Sequence, residues 1–180
     1  MKQLLSVMLL AVLFTGFINA QSQWISIGGN IALPMGDFAD VANLGFGGTA
    51  TYERSFTPNI VGQIYAGYLT FGGEDIPGTS DSYSSSMIPI MAGAKYFFQP
   101  GKGLYANAQL GVHLFSFDTP EYEFFGVTYG GSETSTEFSL GLGAGYEMPM
   151  GKNALDISAS FNIVSDANYI GARIAYKFGM

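Results

Sequence analysis

The sequence predicts an all-β chain, an eight-stranded antiparallel up-and-down transmembrane β-barrel. Three observations carry that expectation. Eight segments of about 10 to 13 residues alternate apolar with small or polar side chains, which is the period of a strand and the length of a tilted membrane crossing. The connections alternate between tight Pro, Gly and Asn turns and longer polar stretches. Charged residues are only 12% of the chain and apolar residues 48%, whereas a soluble domain carries about a quarter charged residues.

The first strand is expected over Trp24–Leu33, with Ile25, Ile27, Ile31 and Leu33 on one face. The second, Gly45–Phe56, sets Phe46, Ala50 and Tyr52 against Thr49, Thr51 and Glu53. The third, Ile60–Phe71, sets Ile64, Ala66 and Tyr68 against Gln63 and Tyr65. The fourth, Met87–Phe98, sets Ile88, Ile90, Ala92, Ala94, Tyr96 and Phe98 against Gly93 and Lys95; Pro89 falls near its start, where a missing N–H is tolerable.

In the fifth, Leu104–Ser116, an aliphatic set from Leu104 to Leu114 alternates with Tyr105, Asn107, Gln109, Gly111 and His113. The sixth, Thr136–Met148, alternates Phe138, Leu140, Leu142, Ala144 and Tyr146 with Glu137, Ser139, three glycines and Glu147. The seventh, Ala154–Ile163, alternates Leu155, Ile157, Ala159, Phe161 and Ile163 with Asp156, Ser158, Ser160 and Asn162. The eighth, Tyr169–Phe178, has Ile170, Ala172, Ile174, Tyr176 and Phe178 on one parity and Gly171, Arg173 and Lys177 on the other.

Residues 1–20 have the pattern of a secretory signal peptide: Lys2, an apolar run from Leu4 to Phe17, and Ala20 before Gln21 as the cleavage site. The apolar run is about 14 residues, short of the roughly 20 that cross a bilayer as a helix. Residues 21–180 are then one barrel domain. The chain has no cysteine, which excludes a disulfide framework and thiol chemistry.

Short turns fall at Thr57–Asn59, Gln99–Lys102 and Pro149–Asn153. Longer loops are expected at Pro34–Asn43, Gly72–Ser86, Asp118–Ser135 and Val164–Asn168. Charge partitions along the same division. Arg54, Lys95, Lys102, Lys152 and Lys177 belong to the short-turn end, with Arg173 further up its strand. The long loops hold Asp37, Asp40, Glu74, Asp75, Asp81, Asp118, Glu121, Glu123, Glu133 and Asp166, and neither Lys nor Arg. In bacterial outer-membrane barrels short turns are periplasmic and long loops extracellular, so both termini are expected in the periplasm.

The polar parity is mostly Gly, Ser, Thr and Asn, a poor solubilising surface but a good filling for a narrow bore. Aromatics form two girdles, Tyr52, Tyr96, Phe98, Tyr146, Tyr176 and Phe178 at the short-turn rim and Phe46, Tyr68, Phe138 and Phe161 toward the loop rim. The apolar parity therefore faces lipid, including outer-leaflet lipid. In hydrocarbon an unpaired backbone group costs several kcal/mol, so the sheet must close. Glu53, Lys95, Glu137, Glu147, Asp156, Arg173 and Lys177 then face the bore as a structural polar network, with Arg173 or Lys177 expected to pair with Glu53, Asp156 or Glu147.

Gly141, Gly143 and Gly145 share one strand face, so close packing in the bore accounts for them better than nucleotide binding. An acidic chain without a basic patch excludes nucleic acid. The acidic loops lack the spacing of a dedicated calcium site, so they read as diffuse solvated charge, with divalent cations or extracellular ligands at the loops as the alternative. No catalytic, cofactor or metal constellation is expected.

Gly171, Ile174, Tyr176 and Phe178 in the last strand, Pro34-Met-Gly-Asp-Phe38 after the first, and Ile88-Pro-Ile90 with Lys95-Tyr-Phe97 in the fourth carry a family likeness. On these the mature chain resembles the small outer-membrane β-barrel proteins, the OmpX-like and OmpA-transmembrane-like eight-stranded barrels. The resemblance implies a Gram-negative-type outer membrane, and it makes those four C-terminal residues an assembly signal read by the barrel-assembly machinery. The chain departs from that signal by continuing to Gly179 and Met180. It also implies a structural or surface-interaction role through the acidic loops. A narrow porin-like channel is the alternative, and a lipid A-modifying enzyme a further one. Barrels of that last kind use a His with Ser or Asp near the outer rim. Here His113 faces inward, Ser116 has the opposite parity, and Asp81-Ser82 lies in a Ser-rich loop.

Overall fold

The computed structural model describes residues 22–75, 82–124, 127–165 and 167–180. Side chains are described for the same residues except 73–75, 82–84, 117–124, 127–130, 132 and 133. The expected signal peptide, its Ala20–Gln21 cleavage site, Asp81 and Asp166 lie outside the described residues.

Eight strands follow in order: β1 (Gln23–Pro34), β2 (Gly45–Ser55), β3 (Ile60–Asp75), β4 (Ser82–Gln99), β5 (Lys102–Phe124), β6 (Val127–Met150), β7 (Asn153–Val164) and β8 (Tyr169–Gly179). Each pairs antiparallel with its neighbour, and the sheet closes into a barrel. The closing ladder of β1 and β8 runs from Trp24 opposite Gly179 to Pro34 opposite Tyr169. Closure leaves no edge through the lipid-facing height of the barrel.

The two parities separate as the alternation requires. Ile27, Ile64, Leu104, Phe138 and Ile174 are exposed on the outside, with relative exposures of 54–66%. Thr49, Thr51, Gln63, Gln109 and Asn162 are buried inside. An apolar exterior around a polar interior inverts the arrangement of a soluble protein and matches a hydrocarbon solvent. Gly101 and Gly151 adopt positive φ in two of the short turns, where a side chain is disfavoured.

Two expected loops are strand instead. Gly72–Ser86 and Asp118–Ser135 largely continue the ladders of β3–β4 and β5–β6. The β5–β6 pairing persists to Phe124 opposite Val127, whereas β6 pairs with β7 only as far as Ser139 opposite Val164. The barrel therefore ends in a slanted rim, from which the β5–β6 hairpin projects. Pro120 falls in a register shift between Thr119 and Tyr122, and Gly131, opposite Thr119, takes a positive φ. Pairing to a strand already held in register supplies the hydrogen bonds that sequence alone does not promise.

Pro89 also differs from expectation. It lies inside β4, and the β3–β4 ladder skips from Ala66–Ile90 to Leu69–Met87 beside it. The β4–β5 ladder runs unbroken through Pro89–His113, so the missing donor falls on the β3 side.

Candidate functional site

The bore is layered. At the short-turn end six charged side chains meet. Lys95 Nζ on β4 lies 2.8 Å from Glu53 Oε1 on β2 and 2.8 Å from Asp156 Oδ2 on β7. Lys177 Nζ on β8 lies 2.6 Å from Glu53 Oε2 and 2.8 Å from Glu147 Oε2 on β6. Arg173 Nη1 approaches Asp156 Oδ1 at 3.4 Å. Three cations thus balance three carboxylates, which matters because an unpaired charge would be very costly at this depth.

Uncharged groups complete the cluster. Tyr105 donates its hydroxyl to Asp156 Oδ2 at 2.8 Å, and its ring lies under Lys95 Nζ, 4.4 Å from the centroid. Trp24 presents its ring to Lys177 Nζ at 4.2 Å. Arg173 donates to Ser26 Oγ at 2.8 Å and Thr49 Oγ1 at 3.0 Å, so one guanidinium on β8 binds β1, β2 and β7 across the closing seam. Gly145 and Gly143 make this possible: a Cβ at Gly145 would meet the Tyr105 ring, and one at Gly143 the Asn107 amide.

Above the charges lies a polar chamber of about 40 Å³, lined among others by Asn30, Gln63, Tyr65, Asn107, Gln109 and Asn162. Gln63 Nε2 and Asn107 Oδ1 are buried there with no hydrogen-bond partner among the described residues. The size and polarity suit about three waters.

The outer layer is apolar, although the sequence favours a polar filling throughout. Ala32, Leu69, Phe71, Met87, Phe115, Val164, Ala167 and Tyr169 converge there with Phe38 and Ala42 from the β1–β2 connection. That connection contains a single 3-10 turn, Gly36–Asp40, whose Phe38 is only 3% exposed. Phe38 packs edge-on against Phe71 at 5.2 Å and Phe115 at 6.3 Å. Gly36 takes φ +62, and Met35 N donates to Asn168 O at 2.8 Å and Asn43 N to Gly72 O at 2.7 Å, so the segment folds inward over the mouth. Phe38 is the one aromatic in a connection whose polar residues are Asp37, Asp40 and Asn43, and that is the sequence signal for it.

Of the seven residues read as bore-facing charges, six form the cluster. Glu137 does not join it: it lies at the outer end, opposite His113 in the β5–β6 ladder. Lys95, expected in the bore but without a named partner, bridges Glu53 and Asp156, and Tyr105 is a central partner that strand-by-strand reading does not single out. His113 is fully buried; its Nε2 lies 2.9 Å from Tyr169 Oη and its ring stacks on Phe115. Ser139 donates to Met91 Sδ at 2.9 Å. Neither contact assembles a nucleophile with a base and an acid. Among the described residues no group of three or more His, Cys, Asp or Glu could hold a metal. Gly171, Ile174, Tyr176 and Phe178 all lie in β8, the last three exposed on the lipid face.

No family model and no curated protein matches the sequence. Solved structures match the fold. Ail, the attachment invasion locus protein of Yersinia pestis, superposes with a TM-score of 0.62 at 14% identity, over 88% of this chain and 99% of that one; its crystal contained the heparin analogue sucrose octasulfate. OprG of Pseudomonas aeruginosa, an outer-membrane protein, gives 0.55 at 11% identity, over 89% and 97% of the two chains. Neisserial surface protein A gives 0.50 at 15% identity, over 88% and 97%. The chain has the fold of the small eight-stranded outer-membrane barrels.

Proposed function

We propose that this protein is a non-enzymatic, integral outer-membrane barrel of a Gram-negative-type envelope, with a sealed bore and a surface-interaction role carried by its external hairpins. It is exported by residues 1–20, cut after Ala20, and inserted with both termini in the periplasm. The single observation that carries the reading is the layering of the bore. A neutral ion-pair cluster sits at one end and an apolar plug around Phe38 at the other, which supports a bore filled by side chains. What remains for function is the outer rim.

There the β5–β6 hairpin projects past its neighbours, and among the described residues β6 from Val127 to Phe138 has no strand beside it on the β7 side. Such an edge accepts an extended chain by backbone pairing. The hairpin sequence carries Asp118, Glu121, Glu123, Glu133 and Glu137 and no Lys or Arg, which favours a basic partner segment. Ail was crystallised with a sulfated polyanion; the outer connections here offer no cation to such a ligand.

Replacing residues 118–134 by a two-residue turn tests the role. The shortened barrel should keep the heat-dependent gel mobility of a closed barrel. Cells displaying it should lose retention on a surface coated with an extended lysine-rich peptide. Unchanged retention would remove the hairpin from the function. Planar-bilayer recordings of the full barrel should stay silent, and reproducible conductance would favour the channel reading.

A further inference from the structure

A crevice of about 250 Å³ opens at the outer mouth, beside the plug and at the foot of the hairpin, where Ser135 and Glu137 of β6 line it. Phe38, Val41, Phe115 and Ala167 supply its apolar walls, and Ser135, Ser165 and Glu137 its polar groups. We infer that this crevice is a binding site for a small amphipathic organic cation, an ammonium on an aromatic or branched apolar stem.

Three features of the crevice select that ligand. The space exceeds the roughly 150 Å³ that holds a benzene ring in a protein cavity, so a single ring with a short side chain fits. Phe38 and Phe115 are only 3% and 2% exposed and form a closed apolar floor, while Val41, 61% exposed, offers the stem accessible apolar surface. Glu137 is half-buried at one side and forms no ion pair among the described residues.

The protein itself cannot supply that cation. Arg54, Lys95, Lys102, Lys152 and Lys177 are at the short-turn end and Arg173 is held by Asp156 in mid-bore. The single histidine, His113, lies opposite Glu137 but is fully buried and occupied by Tyr169. Asp37 and Asp40 flank Phe38 on the plug turn, so the surroundings add negative potential. A half-buried carboxylate on an apolar floor, without an internal counter-ion, favours a ligand that brings both a charge and an apolar stem. A hydrated metal ion would leave Val41 uncovered, and an anion would meet Glu137, with Asp37 and Asp40 on the adjoining plug turn.

The test uses the full barrel in nanodiscs of zwitterionic lipid, with empty nanodiscs subtracted to remove partitioning of the probe into lipid. Phenethylammonium is titrated by saturation-transfer NMR beside phenylethanol, its neutral counterpart, and phenylacetate, its anionic one. Only the ammonium should bind saturably, and salt should weaken it. Glu137→Gln keeps the shape and should reduce its affinity by about tenfold, the loss of one charge-assisted hydrogen bond. Ser165→Trp fills the crevice from an exposed position with Glu137 intact and should abolish binding. Heat-dependent mobility confirms that each variant is folded. Equal binding of phenylethanol, or undiminished binding by the folded Glu137→Gln barrel, would overturn the inference. The hairpin replacement removes residues 118–134 and leaves Ser135 and Glu137 in place, so the two tests fail separately.

Discussion

Replacing Lys95 by Met tests whether the ion-pair cluster acts as one neutral unit. In the native bore Lys95, Arg173 and Lys177 face Glu53, Glu147 and Asp156, three charges of each sign. Methionine retains most of the volume and removes one positive charge, so the buried set becomes two against three. Glu53 keeps Lys177 and Asp156 keeps Arg173, but one negative charge is uncompensated at a site where the native side chains are 1–9% exposed. Breaking a buried pair in this way costs about 3–5 kcal/mol. At an m-value of about 2 kcal/mol per M, the urea midpoint for unfolding from lipid vesicles should fall by roughly 1.5–2.5 M. Adding Glu53→Gln restores two charges of each sign, so the double variant should recover more than half of the lost stability although it contains a second mutation. Heat-dependent mobility against urea concentration reads both midpoints. A Lys95→Met barrel with the native midpoint, or a double variant less stable than the single, would refute the account of the cluster as a charge-balanced unit.

Phe38→Ala removes the ring that packs on Phe71 and Phe115. The plug turn should lose about 3 kcal/mol of docking energy, read as faster hydrogen exchange of amides 36–42 with the barrel ladders still protected; unchanged exchange would show that the turn is held by its backbone bonds alone. Gly145→Val should destabilise the barrel because a Cβ there meets the Tyr105 ring, whereas Gly29→Ala, whose Cβ meets nothing within 4 Å, should be tolerated in the same urea titration. Intact cells should resist trypsin, because the outer connections contain no Lys or Arg, and should yield fragments with a glutamate-specific protease cutting at Glu121, Glu123 or Glu133. The reverse pattern would place the acidic end in the periplasm.

The strand count, the parity of every strand and the division into short-turn and long-connection ends were legible in the sequence. Each follows from a local property. Period-two alternation decides which face a residue joins, and Pro, Gly and Asn mark the turns. Ile170 to Phe178 could be placed on the outside without knowing what lay beside them. The upper reach of β5 and β6 was not legible, because Asp118–Ser135 has loop composition and becomes strand only through its partner's register.

The tertiary structure alone decided who meets whom across the bore. Lys95 on β4 reaches Glu53 on β2 and Asp156 on β7, strands that are not its neighbours. Such contacts depend on strand tilt and stagger around the closed cylinder, which parity does not encode. The same is true of Phe38: the sequence places it in a polar connection, and only the curvature of that connection over an apolar mouth turns it into a plug. Alternation is written residue by residue and therefore survives in one dimension. Distances across a cylinder are set by all eight strands together, so they exist only once the sheet has closed.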